Sequence, residues 1–368
     1  MSLWRKFFNI FYPFFGKKLS EGKNRAKAPG VSRSEKNPAI CPIFSNDWEA
    51  EGTFNPAAIL IDGRAHVLYR AVGRDGISRI GYASSKDGIN FDERLSFPIF
   101  SMPRKNSQCL PGKVCRYDPV IYPSGGSWGG CEDPRMVLIE NKVHVTFNAF
   151  DGWDFIRIGV ITLDKEDFLK KKWNWSYPLF LSPEGEVHKN WVLFPEKING
   201  KFAILHSITP ELQIDYVDKL EDLADGSSRI KSHFAQKMGK KTWDTWVRGA
   251  GAPPIKTDAG WLVFYHGVER DEPSRYKVGV MLLDLKDPNK IIAYSRVPIL
   301  APDMHYENDW KPGVVYVCGA IIKDGELFIY YGGGDKYTCV ASAPVDKFVD
   351  ELKKGHKVSV PIMKKIFK

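Results

Sequence analysis

The 368-residue chain contains no run of 18 apolar residues, so no segment reads as a bilayer-spanning helix. Its six cysteines (Cys41, Cys109, Cys115, Cys131, Cys318 and Cys339) form no C-x-x-C pair and have no histidine at zinc-ligand spacing. That argues against a metal site and fits a reducing, cytoplasmic compartment. Helical periodicity is nearly absent outside two short stretches, residues 164–172 and 345–354, which excludes a helical bundle. The glycine-rich segments Gly249-Ala250-Gly251-Ala252-Pro253-Pro254 and Gly332-Gly333-Gly334-Asp335 lack the Gly-Lys-Ser/Thr and following helix of a P-loop, so they read as tight turns. No motif calls for a bound cofactor. The apolar stretch at residues 4–15 is broken by Asn9 and Pro13 and is followed by Gly16-Lys17-Lys18 with no small-residue cleavage site, which argues against secretion.

What the chain has is a repeat. Asn55-Pro56-Ala57-Ala58-Ile59, the turn Asp62-Gly63 and the run His66 to Arg70 set the pattern. It returns at Asp133 to Val137 with turn Glu140-Asn141, at Val192 to Pro195 with turn Asn199-Gly200, at Pro253 to Ile255 with turn Asp258 to Gly260, and at Cys318 to Ile321 with turn Asp324-Gly325. The anchors Val67, Val143, Phe202, Leu262 and Leu327 lie 76, 59, 60 and 65 residues apart. Each unit therefore has room for about four strands of ~5–6 residues. Alternation such as Val143-His144-Val145-Thr146-Phe147 between Asn-Gly or Asp-Gly turns is the mark of antiparallel hairpins. Five such units predict an all-β fold, a five-bladed β-propeller over residues 39–368 with a short C-terminal helix, preceded by a basic, aromatic arm and linker at residues 1–38. The alternative at this stage is a β-sandwich or two stacked barrels.

Formal charge is +9, from 53 basic and 44 acidic residues, but the excess is concentrated in Arg5 to Lys36 and Lys353 to Lys368. The body is closer to neutral, so the bias predicts solubility and not a nucleic-acid partner. The N-terminal arm is compatible with contact with a membrane surface, with packing on a second subunit in a homo-oligomer, or with disorder. Eleven Trp and 15 Tyr suit a sugar-binding cleft, although packing between units accounts for such residues equally well.

Counting seven positions back from the turn places Asn55 (62 − 7) and Asp133 (140 − 7) at equivalent points in the first two units, facing a common channel. A carboxylate that the sister repeats do not carry points to a specific task, with a turn-closing Asp before Pro134 as the alternative. A cationic set, Arg70, Lys189, Arg248, Lys256, His206 and His266, recurs near run ends and unit starts. If these point inward, they surround an anion or the hydroxyls of a sugar. A non-catalytic interaction platform is the rival of another class, though no kelch-type period supports it.

The blocks Gly-Cys-Glu-Asp-Pro-Arg (130–135), Val-Leu-Phe-Pro-Glu-Lys-Ile-Asn-Gly-Lys-Phe (192–202), Pro-Pro-Ile-Lys-Thr (253–257), Gly-Trp-Leu-Val-Phe-Tyr-His-Gly-Val (260–268), Leu-Leu-Asp-Leu-Lys-Asp-Pro (282–288) and Tyr-Tyr-Gly-Gly-Gly-Asp (330–335) occur in order. Together they resemble glycoside hydrolase family 130, from about Asn55 to the C-terminal region. The resemblance implies an enzyme on β-mannosides, most simply an inverting phosphorylase that releases α-mannose 1-phosphate with inorganic phosphate as co-substrate. An inverting β-mannosidase is the alternative. By position it makes Asp133 the general acid, relaying its proton through the mannose 3-hydroxyl, and puts Asn55, Arg70 and Arg135 at the sugar; His206, His266 and Asp335 are the further candidates for substrate binding. It assigns Lys189 and Lys256 to phosphate, and Arg248 of the cationic set is a further phosphate candidate. One departure stands out: phosphorylases of the family usually read Leu-His-Arg where this chain has Leu205-His206-Ser207, which removes one phosphate-binding cation. Hydrolysis would need a base carboxylate such as Glu211, Glu269 or Asp335.

Overall fold

The computed structural model describes residues 29–102, 127, 129–151, 156–232 and 242–355. The N-terminal arm up to residue 28 lies outside them, as do Cys109 and Cys115. The regular elements of the described residues are almost wholly strands, with a ten-residue helix, Val345–Lys354, at the C-terminal end where the periodicity predicts one.

All five turns fall where the repeat places them, and four of them rest on residues that tolerate the left-handed backbone. Asp62-Gly63 (φ 50° and 74°), Asn199-Gly200 (52° and 79°) and Asp324-Gly325 (51° and 77°) have positive φ at both central positions, as two-residue hairpin turns of type I′ require. Each anchor lies on the strand after its turn and pairs antiparallel with the strand before it. Gly52–Ile61 pairs with Arg64–Val72, Gly129–Ile139 with Lys142–Asp151, and Val315–Lys323 with Glu326–Gly333. Val192–Leu193 pairs with Phe202–Ser207, and both Trp246–Ala250 and Ile255–Thr257 pair with Gly260–Glu269.

The five-bladed propeller is not what these hairpins assemble into. The strands form four separate sheets, of four, three, five and eight strands, none of them closed into a barrel or ring of equal blades. The first two units share the eight-stranded sheet because Ile77 and Ser78 pair in parallel with Gly129 and Gly130. Gly130, at φ 105°, permits this, since a Cβ there would lie 2.1 Å from the Ser78 carbonyl oxygen. Repeat spacing counts hairpins but not which sheet edges join. Here one edge that would separate two blades is used up in a parallel bridge.

Ser32–Arg33, within the stretch read from composition as linker, adds an edge strand beside Tyr337–Pro344. The Arg33 guanidinium holds it there, donating through Nε at 2.7 Å to the completely buried Glu307. The sheets bury separate apolar clusters. One groups Leu262, Phe264, Val280 and Leu282 with Val317, Ile329 and Phe348, and another groups Leu68, Ile80 and Tyr82 with Val145, Phe147 and Phe168. In the first two units the bulged residues Asn55 and Asp133 turn toward each other, at the polar centre described next.

Candidate active site

Asn55 and Asp133 occupy matching β-bulges. The pairing register slips between Phe54 and Ala57 in the first unit and between Glu132 and Arg135 in the second. Both residues take positive φ (49° and 51°), which Asn and Asp tolerate better than other side chains. A bulge re-aims the side chain it carries, and here it brings the two together: Asn55 Nδ2 donates to Asp133 Oδ1 at 2.7 Å. The cross-strand partners of the preceding residues, Arg70 opposite Phe54 and Asn148 opposite Glu132, also converge on Asp133.

Asp133 is buried, with its carboxylate 7% exposed. Oδ1 accepts from Asn55 and from Arg70 Nη1 at 3.0 Å, while Oδ2 receives the Asn148 amide at a long 3.3 Å. Oδ1 is therefore saturated with donors, and Oδ2 is the oxygen with capacity to carry and give a proton. Burial pushes this carboxyl upward, but Arg70, Arg135, the Asn55 bond and Lys189 together outweigh it and hold the acid below its ordinary value.

Arg70 is 1% exposed and spreads its donors over Ser78 Oγ (2.9 Å), Asp133, Ser127 Oγ (3.0 Å) and Glu132 Oε1 (2.9 Å), with its carbon 4.9 Å over the Phe54 ring. Arg135, equally buried, binds the backbone instead. It donates to the carbonyls of Gly251 (2.8 Å), Asp133 (2.8 Å) and Ala250 (3.3 Å) and to Asn190 Oδ1 (2.7 Å). It thus braces Asp133 and the 250–251 turn from beneath. Asn190, at φ 66°, joins the centre from the third unit. Its Oδ1 also accepts from the Tyr316 hydroxyl at 2.9 Å, its amide donates to the Arg248 carbonyl at 2.7 Å, and its backbone N–H donates to Asn148 Oδ1 at 3.2 Å.

His266 is completely buried and stacks on Tyr316 with ring centroids 3.7 Å apart. Its Nε2 accepts the Val317 N–H at 3.0 Å, which assigns the ring proton to Nδ1. Lys189 reaches Glu132 Oε2 at 3.3 Å, and Arg248 lies 4.3 Å over Trp246 and 5.8 Å from the centre of Tyr276, beside Tyr316. Asp335 is buried and accepts from Lys311 Nζ at 2.8 Å, close enough to Arg70 to raise the guanidinium's proton affinity.

Two of the expected residues are not brought to this centre. His206 turns to Asp215, with Nε2 to Oδ2 at 3.2 Å, and packs against Trp191 at 5.6 Å. The pairing register slips between Leu205 and Ser207, so His206 sits in a bulge of its strand, and its neighbour Ser207 donates to the Thr209 carbonyl at 3.2 Å. Lys256 is 52% exposed, binds Glu196 at 2.6 Å and pairs across from Trp261, five residues from His266 along the same strand and so ~17 Å away. Of the carboxylates considered as a base, Glu211 accepts from Gln213, Glu269 from Lys277 and Asp335 from Lys311. Reading single positions missed Glu132, Asn148, Asn190 and Tyr316.

Buried neutral histidines make the fold sensitive to acid. Burial, with Arg64 adding to it, lowers His66 to about 4, and burial together with Arg135 lowers His266 to about 3. Between these values and ~6.5 the unfolded chain binds protons that the native state refuses. Their stabilisation is therefore complete above pH ~6.5 and is lost as pH falls toward 4, at up to ~1.4 kcal/mol per pH unit for each group. Chemical denaturation across pH 7 to 4 is expected to show this decline, with a shallower slope in His66→Gln. Equal slopes would mean that the His66 ring is protonated in the native state.

No cluster of three His, Cys, Asp or Glu among the described residues is arranged to hold a metal. An acid with an open oxygen, flanked by guanidinium, ammonium and amide donors and by stacked aromatic rings, suits a carbohydrate-active enzyme. The comparisons agree with this geometry. The family profile described as beta-1,4-mannooligosaccharide phosphorylase matches residues 33–354, and the chain belongs to glycoside hydrolase family 130. It is 35% identical over 321 residues to a 1,2-beta-oligomannan phosphorylase of Thermoanaerobacter sp. (strain X514), covering 84% of this chain and 96% of that one. It is 34% identical over 333 residues to a beta-1,2-mannobiose phosphorylase of the same organism, covering 86% and 98%. Among solved structures it is similar to the beta-1,2-mannobiose phosphorylase from Listeria innocua in complex with beta-1,2-mannobiose, with a TM-score of 0.66 at 25% identity, over 88% of this chain and 99% of that one.

Proposed function

We propose that the chain is an inverting phosphorylase of β-mannosides, with β-1,2-linked mannosides as its substrate class. Asp133 gives a proton to the departing oxygen while inorganic phosphate attacks C1 from the opposite face. The C1–O glycosidic bond breaks, a C1–O bond to phosphate forms, and α-mannose 1-phosphate leaves together with the shortened sugar. Lys189 and Arg248 bind the phosphate, Asn55 and Arg70 hold Asp133, and His266 stacked on Tyr316 forms an apolar wall.

The observation that carries this reading is the charge of the centre: Asp133 keeps an open oxygen among Arg70, Arg135 and Lys189, and the second carboxylate there, Glu132, is engaged by Arg70, Ser127 and Lys189. An anionic nucleophile needs cations and no base, whereas water needs a second carboxylate placed ~6.5–9.5 Å from the acid. Glu211, Glu269 and Asp335 already have partners. The names of the relatives support phosphorolysis and, at 34–35% identity, the β-1,2 linkage.

Incubation with β-1,2-mannobiose and, separately, β-1,4-mannobiose, each with and without phosphate, tests the reading. The expected result is at least about tenfold faster cleavage of the β-1,2 sugar with phosphate, with sugar phosphate as product. Release of free mannose at a rate indifferent to phosphate would instead favour hydrolysis, the reaction that the serine at position 207 leaves open.

A further inference from the structure

Phosphorolysis needs one carboxylic acid, yet a second carboxylate, that of Glu132, is completely buried directly beside Asp133. A buried carboxylate is costly unless it is paired and hydrogen-bonded. Glu132 is both: Oε1 accepts from Arg70 Nη2 at 2.9 Å and from Ser127 Oγ at 3.0 Å, and Oε2 faces Lys189 Nζ at 3.3 Å. The two cations are held unequally. The Arg70 contact has the length of a charge-assisted hydrogen bond, and the Lys189 contact is longer than one. Arg70 also donates to Asp133 through its other terminal nitrogen, so Glu132 fixes the guanidinium in the orientation that binds the acid.

We propose that Glu132 is a positioning residue for phosphorolysis: it aims Arg70 at Asp133 and holds Lys189 in a loose ion pair from which the incoming phosphate takes over the ammonium. The inference rests on the phosphorylase reading given above.

The charges facing Asp133 among the described residues make this consequential. Arg70 and Lys189 approach from outside its strand and Arg135 from its own, against the carboxylates of Glu132 and Asp133. Asp335, after the strand Glu326–Gly333, is matched by Lys311. His266, Tyr316 and Cys318 complete the surroundings, and burial keeps each of them uncharged near neutral pH. Without Glu132, Asp133 would be the lone partner of the cations and would hold its negative charge more firmly. Phosphate would meet a more positive site. Glu132 therefore balances anion capture against proton donation.

Glu132→Gln keeps the shape and removes the charge. The expected result is a split: KM for phosphate falls severalfold, kcat at neutral pH falls about tenfold, and the pH optimum moves toward acid, because a smaller fraction of Asp133 carries a proton. Glu132→Asp, which keeps the charge, restores the native pH profile. A merely structural role would raise KM for phosphate and leave the pH profile in place, and that result would overturn the proposal. Should neither variant fold, titrating the native protein with inorganic phosphate in two buffers of different ionisation enthalpy decides the point: proton uptake on binding supports the shared charge, and its absence overturns it. A native protein that cleaves mannobiose without phosphate would remove the phosphorylase reading itself. Native phosphorolysis with an unaltered Glu132→Gln profile would remove only this inference.

Discussion

Asp133→Asn is expected to fold normally and to lose about 10²- to 10⁴-fold in turnover of an unactivated mannoside, the range that a positioned acid typically supplies. Asn has the same shape, so Oδ1 can still accept from Asn55 and Arg70, the two bonds that fix the side chain. What disappears is the oxygen that faces only the long Asn148 contact, and with it the transferable proton. Binding of phosphate should survive, because Lys189 and Arg248 are unaltered. The loss should therefore appear in kcat with little change in KM for phosphate, which steady-state kinetics at fixed mannoside measures. An equal fall caused by unfolding would show in the denaturation midpoint, and none is expected.

Arg70→Met is expected to destabilise the protein by about 3–5 kcal/mol, measured by chemical denaturation, as well as to abolish activity. The substitution keeps apolar bulk over Phe54 but removes the counter-ion of two carboxylates that are 0% and 7% exposed. It also strands the hydroxyl of Ser78. Removing one partner of a buried ion pair leaves an uncompensated charge, which costs far more than the pair contributed. Glu132 or Asp133 would then take up a proton in compensation, so the destabilisation should shrink as pH falls. A stable, fully folded Arg70→Met would mean that these carboxylates are already protonated in the native protein.

Much of this centre is written in the chain as a register. Seven residues before the turn stand Asn55 and Asp133. Eight residues after its first position stand Arg70 (62 + 8), Asn148 (140 + 8), Ser207 (199 + 8), His266 (258 + 8) and Gly332 (324 + 8). The same count that finds Asn55 and Asp133 thus also reaches Asn148, whereas His206, one position before the counted Ser207, lies in a bulge and turns to Asp215. Gly332 is a glycine for a reason visible only in space: a Cβ there would lie 2.0 Å from Asn55 Oδ1.

The rest was hidden for physical causes. In the third unit the first strand is only Val192–Leu193, and the inward residue is Asn190, two positions before the counted one. Glu132 was invisible because a bulge lets two adjacent residues share one polar centre, which strict alternation forbids. Lys256 pairs with Trp261, at the opposite end of the neighbouring strand from His266, a distance that a motif match does not encode. The sheet arrangement was misjudged for a related reason: hairpins are local, whereas the parallel bridge at Ser78 and Gly130 joins residues 52 positions apart.

The account depends on Asp133 as proton donor, and comparing two leaving groups in Asp133→Asn tests it most directly. Rates of phosphorolysis are measured for a mannoside whose leaving oxygen needs a proton, β-1,2-mannobiose, and for 2,4-dinitrophenyl β-mannoside, whose departing phenolate needs none. The predicted result is a loss of about 10²-fold or more on the disaccharide with near-native turnover of the aryl mannoside. Equal losses on both would contradict the assignment of Asp133 as the acid.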